Sequence, residues 1–238
     1  MFRFKQFTIQ QDRTAMKVCT DACVLGAYAN VTDVDAKART ARILDIGTGT
    51  GLLALMAAQR NPLAIIDAVE VDDSAFAQAT ENVTASPFAA RINVVHTRIQ
   101  DFVSAATYDR ILTNPPFYTN HLRSPDAAVN RALHTDELSF DELIAAVVRL
   151  MKPTGQWWVL LPPYETEKLT KLAGENGLFP FQRLLLRHHT QKPAFRFVTG
   201  FSFDKESITE QSLAVYEHNG QTFTGEFRAL LRDFYLIF

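Results

Sequence analysis

The run Asp45-Ile46-Gly47-Thr48-Gly49-Thr50-Gly51 constrains this chain more than any other segment. A short apolar strand, Arg42–Ile46, precedes it and a helix, Leu52–Arg60, follows, so alternate glycines occupy a strand-to-helix turn. Glycine there permits positive φ and lets backbone approach a ligand closely. The helix start beyond it presents free N–H groups. Such a turn belongs to βα units around a parallel sheet. The spacing is G-x-G-x-G. The dinucleotide fingerprint would need glycine where Leu52 stands, and the Gly-Lys-Ser/Thr of a P-loop is absent, so the loop favours neither NAD nor ATP.

The same rhythm continues. Strands are predicted over 64–71, 91–97, 108–113 and 156–161, alternating with helices over 74–85, 139–152 and 165–175. Ser139-Phe140-Asp141-Glu142 reads as a capping box, and Gly177 stops the third of these helices. Residues 181–189 and 195–203 read as further strands, and Asn219-Gly220 as a hairpin turn between 213–217 and 221–223. A helical spacing covers 227–235, and residues 20–30 read as a short helix capped by Thr20 or Asp21. The expected fold is α/β: a doubly wound, Rossmann-like, seven-stranded and mostly parallel sheet with an antiparallel edge and small N-terminal and C-terminal additions. One domain is expected over 1–238, with an N-terminal arm and lid at 1–30, a core at 40–205 and a C-terminal hairpin and helix at 206–238.

Composition agrees. With 238 residues, 47% apolar and 21% charged, the chain can bury a sizeable core and is not a disordered, collagen-like or coiled-coil sequence. Lys and Arg number 24 against 26 Asp and Glu, which excludes a uniformly basic surface but leaves room for a local basic patch. Cys19 and Cys23, one helical turn apart, are too few for a disulfide framework and make a poor zinc site, so no metal is expected. The apolar run from Leu143 to Val148 stops at Arg149, and the N-terminus has no continuous apolar segment of a signal peptide. No membrane association, a cytoplasmic location and a monomer are the expectations.

Two further features carry chemistry. Glu70 ends the second strand about twenty positions after Gly51, the offset at which a carboxylate meets a ribose hydroxyl pair in doubly wound folds. A glycine-rich turn with an acidic strand end also arises by chance in α/β proteins. Asn114-Pro115-Pro116-Phe117 follows the fourth strand at its C-terminal end, where such sheets bind ligands. Asn-Pro is also a common turn pair. The chemistry of this motif suits an exocyclic NH₂, a poor nucleophile because its lone pair is delocalised. The Asn114 side-chain oxygen and the Pro115 carbonyl supply two acceptors for its two hydrogens, prolines stiffen that backbone, and Phe117 offers a face for a splayed base.

With these motifs the chain resembles the class I S-adenosylmethionine-dependent methyltransferases, in the N-methylating group with an Asn-Pro-Pro-aromatic motif. Phe4-Lys5-Gln6-Phe7, Asp12 to Asp21 and the C-terminal Asp233-Phe234-Tyr235-Leu236 are similar to the tRNA1(Val) adenine-37 N6-methyltransferase family, and the resemblance spans essentially the whole chain. It implies S-adenosylmethionine as cofactor and the anticodon stem-loop of a tRNA as partner. It implies that Gly47, Gly49 and Gly51 lie against the methionine and ribose, with Asp45 supporting the loop. Glu70 would bind the ribose, Val71 contact the adenine ring and Asp101 accept from its amino group. Residues from Lys17 through Thr20 to Asp21 would close over the methionine end. Asn114, Pro115, Pro116 and Phe117 would hold the target adenine. Cys19 departs from the glycine expected there, which predicts backbone strain if that position needs positive φ.

Competing readings are guanine-N2 methylation of ribosomal RNA, glutamine-N5 methylation of protein and a non-catalytic cofactor- or RNA-binding module. The second needs a helical N-terminal domain for which there is too little chain before residue 47, and the third fits poorly with intact motifs. A DNA adenine enzyme would need a target-recognition domain. His188-His189 with Arg187, Lys192 and Arg196, joined by Arg3, Lys5 and Arg13, reads equally as an RNA phosphate footprint or as solvated surface. His134 reads as a loop-ordering residue, Trp157-Trp158 as alternate faces of a buried strand, and Phe195, Phe197, Phe201 and Phe203 as one core face.

Overall fold

A computed structural model describes residues 1–14, 17–32, 40–115 and 138–238. A small antiparallel pair, β1 (Phe2–Arg3) and β2 (Thr8–Ile9), precedes the main sheet. That sheet holds β3 (Arg42–Ile46), β4 (Ile65–Glu70), β5 (Ile92–His96), β6 (Tyr108–Thr113), β7 (Met151–Leu161), β8 (Phe179–Arg187), β9 (Ala194–Ser202) and β10 (Thr209–Ala214). Their spatial order is β10-β8-β9-β7-β6-β3-β4-β5. Six α-helices are described: α1 (Thr20–Tyr28), α2 (Leu52–Arg60), α3 (Asp73–Thr84), α4 (Phe140–Leu150), α5 (Pro163–Glu175) and α6 (Gly225–Leu231).

The expected fold class holds. From β5 through β4, β3 and β6 to β7 every pairing is parallel. Two details differ. The antiparallel strand, β9, lies inside the sheet between β7 and β8, not at the edge. The sheet has eight strands rather than seven, because β10 pairs parallel with β8 and becomes the edge. Its first four residues are exposed and only Leu213 is buried, so no apolar alternation marks it in sequence. The predicted Asn219-Gly220 turn is present, with Gly220 at φ 67° and a bridge between Tyr216 and Phe223, while residues 209–214 run in the sheet instead.

Each sheet face buries its own core. Ile43, Ile66, Ala68, Leu112, Trp158 and Leu160 pack with α1 and α2. Leu44, Ile46, Val69, Ile111, Trp157 and Val159 pack with α4 and α5. The two tryptophans thus point to opposite faces, as the period of two requires. The phenylalanines in and just after β9 do not share one face. Phe201 and Phe203 join the second core, whereas Phe195 packs against the first. In the β8–β9 register Leu186 faces Arg196 but Arg187 faces Ala194, so Phe195 is an extra, bulged residue. A bulge of this kind turns a side chain to the other side of the sheet.

Local chemistry sets the ends of elements. The predicted capping box at α4 forms: Ser139 Oγ accepts the Glu142 N–H at 3.2 Å and Glu142 Oε2 accepts the Ser139 N–H at 3.0 Å. Asp72 caps α3 by accepting the Ala75 N–H at 2.8 Å. The helix predicted from Glu165 begins earlier, at Pro163, because proline suits the first helical position. The cap of α1 is neither Thr20 nor Asp21 but Cys19, which makes no side-chain cap bond.

On β4 and β6, two buried aspartates find partners. Asp67 accepts from Arg42 Nη2 at 3.1 Å and Tyr108 Oη at 2.7 Å, and Asp109 from the Arg42 N–H and Lys152 Nζ, both at 2.8 Å. No described helix is long and apolar enough to cross a membrane.

Candidate functional site

Register assembles the site. Ile46 pairs with Val69 on one side and with Thr113 on the other. The chain therefore leaves three neighbouring strands at one level. Glu70 is the last residue of β4, Gly47 follows β3, and Asn114 follows β6. Parallel neighbours lie about 4.8 Å apart, so Glu70 and Asn114 flank the glycine loop roughly 10 Å from each other. Strand order reverses between β3 and β6, and open α/β sheets bind ligands in that crevice.

The glycine loop needs its glycines. Gly47, Gly49 and Gly51 have φ of 69°, 58° and 83°. A Cβ on Gly47 or Gly49 would meet nothing within 4 Å, whereas one on Gly51 would touch Val83 at 3.6 Å. The first two thus border an open cradle and the third packs on α3. The N–H groups of Gly47 and Thr48 donate to the Val69 carbonyl at 2.9 and 3.0 Å. The N–H of Gly49 donates to Glu70 Oε2 at 2.8 Å. Glu70 Oε1 accepts the N–H groups of Val71 and Asp72 at 2.9 and 3.0 Å. Glu70 is thereby held rigidly against the loop.

Asp45 lies fully buried beneath it. Its Oδ2 accepts the Thr48 hydroxyl at 2.5 Å and the Ala54 N–H at 3.1 Å. Its Oδ1 is buried with no partner. Burial pushes the Asp45 carboxyl up to about 7, against the two hydrogen bonds that favour its charged form. A buried, unpartnered carboxylate oxygen beneath the loop favours positive charge nearby. Glu70, at the C-terminal end of β4, presents a carboxylate of the type that suits the hydroxyl pair of a nucleoside. The residues present therefore fit S-adenosylmethionine.

The N-terminal arm is fastened to this loop by residues that sequence reading missed. Asn82, on α3 and 1% exposed, donates to the Gln10 and Thr50 carbonyls at 2.8 and 2.9 Å and accepts the Gln10 N–H at 2.8 Å. One turn earlier Gln78 accepts the Arg13 N–H at 3.2 Å. Two amides four residues apart on the inner face of an amphipathic helix were the available signal. Lys17 Nζ donates to the Gln11 and Thr14 carbonyls inside the arm, and the Thr20 hydroxyl meets that of Tyr235 in the C-terminal segment. Cys19 has φ −122°, an ordinary extended conformation, so the strain predicted for a non-glycine there is absent.

Of the remaining candidates, Val71 is 52% exposed beside Glu70, and Asp101 is exposed on the turn after β5. Asn114 is half-buried and Pro115 buried. Pro116, Phe117 and His134 lie outside the described residues. Two members of the suggested basic footprint have other work. Lys5 Nζ donates to the Arg232 and Phe238 carbonyls, and Arg13 pairs with Glu81 at 2.7 Å. Among the described residues no group of three acidic, histidine or cysteine side chains is placed to hold a metal.

Comparison with known proteins points the same way. The family description "Methyltransferase small domain" matches residues 25–166. A protein of Dyadobacter fermentans is 50% identical over 240 residues, covering 100% of this chain and 98% of its own. A protein of Bacteroides fragilis is 41% identical, covering 99% of this chain and 97% of its own. Both are named tRNA1(Val) (adenine(37)-N6)-methyltransferase. Among solved structures, a predicted O-methyltransferase from Agrobacterium tumefaciens superimposes with a TM-score of 0.66 at 19% identity, covering 90% of this chain and 96% of that one. A methyltransferase from Pyrococcus furiosus does so at 0.59 and 17% identity, covering 82% and 88%. These two show the likeness of fold.

Proposed function

The chain belongs to the methyltransferase small domain family, among relatives named tRNA1(Val) (adenine(37)-N6)-methyltransferases, and from that premise we propose how its residues methylate N6 of an adenine in the anticodon loop of a valine tRNA. It is a methyltransferase of the class I fold. S-adenosylmethionine supplies the electrophilic methyl group on a sulfonium. The observation that carries the residue roles is the shared level of Glu70, Gly47 and Asn114 across three adjacent strands. Gly47 and Gly49 leave the space for the methionine and ribose, Gly51 seats the loop on α3, and Asp45 beneath it favours a cationic ligand. Glu70 accepts from the ribose hydroxyls. Val71 covers one face of the adenine ring and Asp101 accepts from its amino group. Lys17 and Thr20 hold the arm that closes over the methionine end.

Asn114 and Pro115 then act on the target. Their two oxygens accept from both hydrogens of the exocyclic amine, favour a pyramidal nitrogen and stabilise the positive charge that develops on it. This is electrostatic preorganisation, worth roughly 10²–10³ in rate for one lost partner in comparable sites. Pro116 stiffens the motif and Phe117 stacks on the extruded base. A single-stranded loop lowers the cost of that extrusion.

The test is incubation of the protein with methyl-labelled S-adenosylmethionine and total RNA from a strain lacking it, followed by nucleoside identification. N6-methyladenosine in a valine tRNA is expected. Labelled N2-methylguanosine in ribosomal RNA would replace this substrate assignment. Asn114→Ala should lower methyl transfer at least about a hundredfold with cofactor affinity preserved; undiminished transfer would refute the role of Asn114.

A further inference from the structure

We infer that the β8–β9 turn is the RNA-docking surface of this enzyme, with His188 as a stacking platform for a loop base and Arg187 and Lys192 as phosphate contacts. The inference rests on the reading of the site given above. Topology places the turn beside the target motif. Because β8 and β7 are both antiparallel to β9, the C-terminal end of β8 and the start of β9 emerge at the same sheet edge as Asn114. Thr113 pairs with Val159, and Leu161, further along β7, pairs with Phe197. The start of β9 therefore stands two strands, about 10 Å, to the side of Asn114 and roughly 7–10 Å further along the strands. One stem-loop can span both.

The turn is built rather than merely exposed. The Phe195 bulge turns that ring against His188, with centroids 4.1 Å apart and planes within 6°. His188 is exposed and Phe195 half-buried, so the outer face of the histidine continues a stack that begins in the core. Three bonds set its shape: Arg187 Nη1 donates to the Lys192 carbonyl at 2.7 Å, the Lys192 N–H to the His189 carbonyl at 3.0 Å, and the Tyr216 N–H to the His188 carbonyl at 2.9 Å. Arg196 is not a free contact. It pairs with Asp21 at 3.0 Å and so ties the turn to the start of α1. Arg187 and Lys192 have no acidic partner among the described residues. A flat exposed ring flanked by cations that lack an acidic partner suits splayed bases on a phosphate backbone more than a protein surface. Confinement to one edge also reconciles RNA binding with a net charge of −2.

The experiment measures binding of a labelled valine anticodon stem-loop by the full chain across a salt series, alongside calorimetric affinity for S-adenosylhomocysteine. Lys192→Glu should weaken RNA binding about tenfold or more and flatten the salt dependence by about one phosphate contact. His188→Ala should weaken it about tenfold with the salt slope unchanged. Both should keep the cofactor affinity of the parent and its turnover at saturating RNA. Lys205→Glu, at the opposite sheet edge, is the control and should change binding less than either. RNA affinity within twofold of the parent in both variants, or a parallel loss of cofactor affinity, would overturn the inference. If the parent methylates the RNA while the variants bind it normally, the docking surface is wrong and the site reading stands. If the parent neither binds nor methylates the stem-loop, both are wrong.

Discussion

Replacing Asp45 with asparagine tests whether the glycine loop rests on a carboxylate held at a cost in stability. Asp45 is fully buried, and burial raises its carboxyl from 3.8 to about 7. Between those values the folded protein binds a proton that the unfolded chain has lost, so stability falls as pH rises through this window and levels off above it. At about 1.4 kcal/mol per pK unit, the interval bounds the cost at about 4 kcal/mol. Asparagine keeps an oxygen for Thr48 and Ala54 and cannot ionise. Its amide would occupy the position of the unpartnered Oδ1, a pH-independent penalty of about 1–3 kcal/mol. The informative quantity is therefore the slope. The melting temperature of Asp45→Asn relative to the parent should rise between about pH 4 and pH 7, by up to roughly 8–16 °C for a chain of this size, and then stay level. Calorimetry of the same variant should show weaker S-adenosylmethionine binding, since the compensating charge is gone. A melting difference that stays flat from about pH 4 to pH 8 would refute the assignment of a costly buried carboxylate.

Gly49→Ala adds strain at φ 58° worth about 1–2 kcal/mol and places a methyl group in the open cradle. Calorimetry should show a larger loss in cofactor affinity than thermal unfolding shows in stability; equal losses would argue against a ligand there. Asn82→Ala leaves the buried Thr50 carbonyl without its donor and frees the arm. Thermal unfolding should detect about 1–3 kcal/mol of destabilisation, and limited proteolysis should cut the arm faster. Burial pushes the Cys23 thiol up to about 12, so it stays protonated and should resist alkylation at about pH 8 until the protein is unfolded.

The strand, glycine loop and helix around Asp45 were legible because their signals are local. A glycine at positive φ, a capping box at Ser139 and a period of two through Trp157-Trp158 each report the backbone within a few residues. The strand end just before Asn114 was readable for the same reason. Three features were not. The polar β10 has no pattern and exists because β8 offers it a free edge. The Phe195 bulge depends on one residue of slip against β8, which alternation along β9 cannot reveal. Asn82 and Gln78 look like ordinary helix polars until the arm lies across them.

The chemistry-bearing residue types and the turns that carry them were thus set by the chain alone, since φ, capping and side-chain period are decided by near neighbours. Tertiary structure decided which of those residues meet. Parallel register brings Glu70, Gly47 and Asn114 to one level although they are far apart in sequence, and it moves the β8–β9 turn to the same edge. It also set the ionisation of Asp45, because desolvation depends on everything packed around a group and not on its neighbours in sequence.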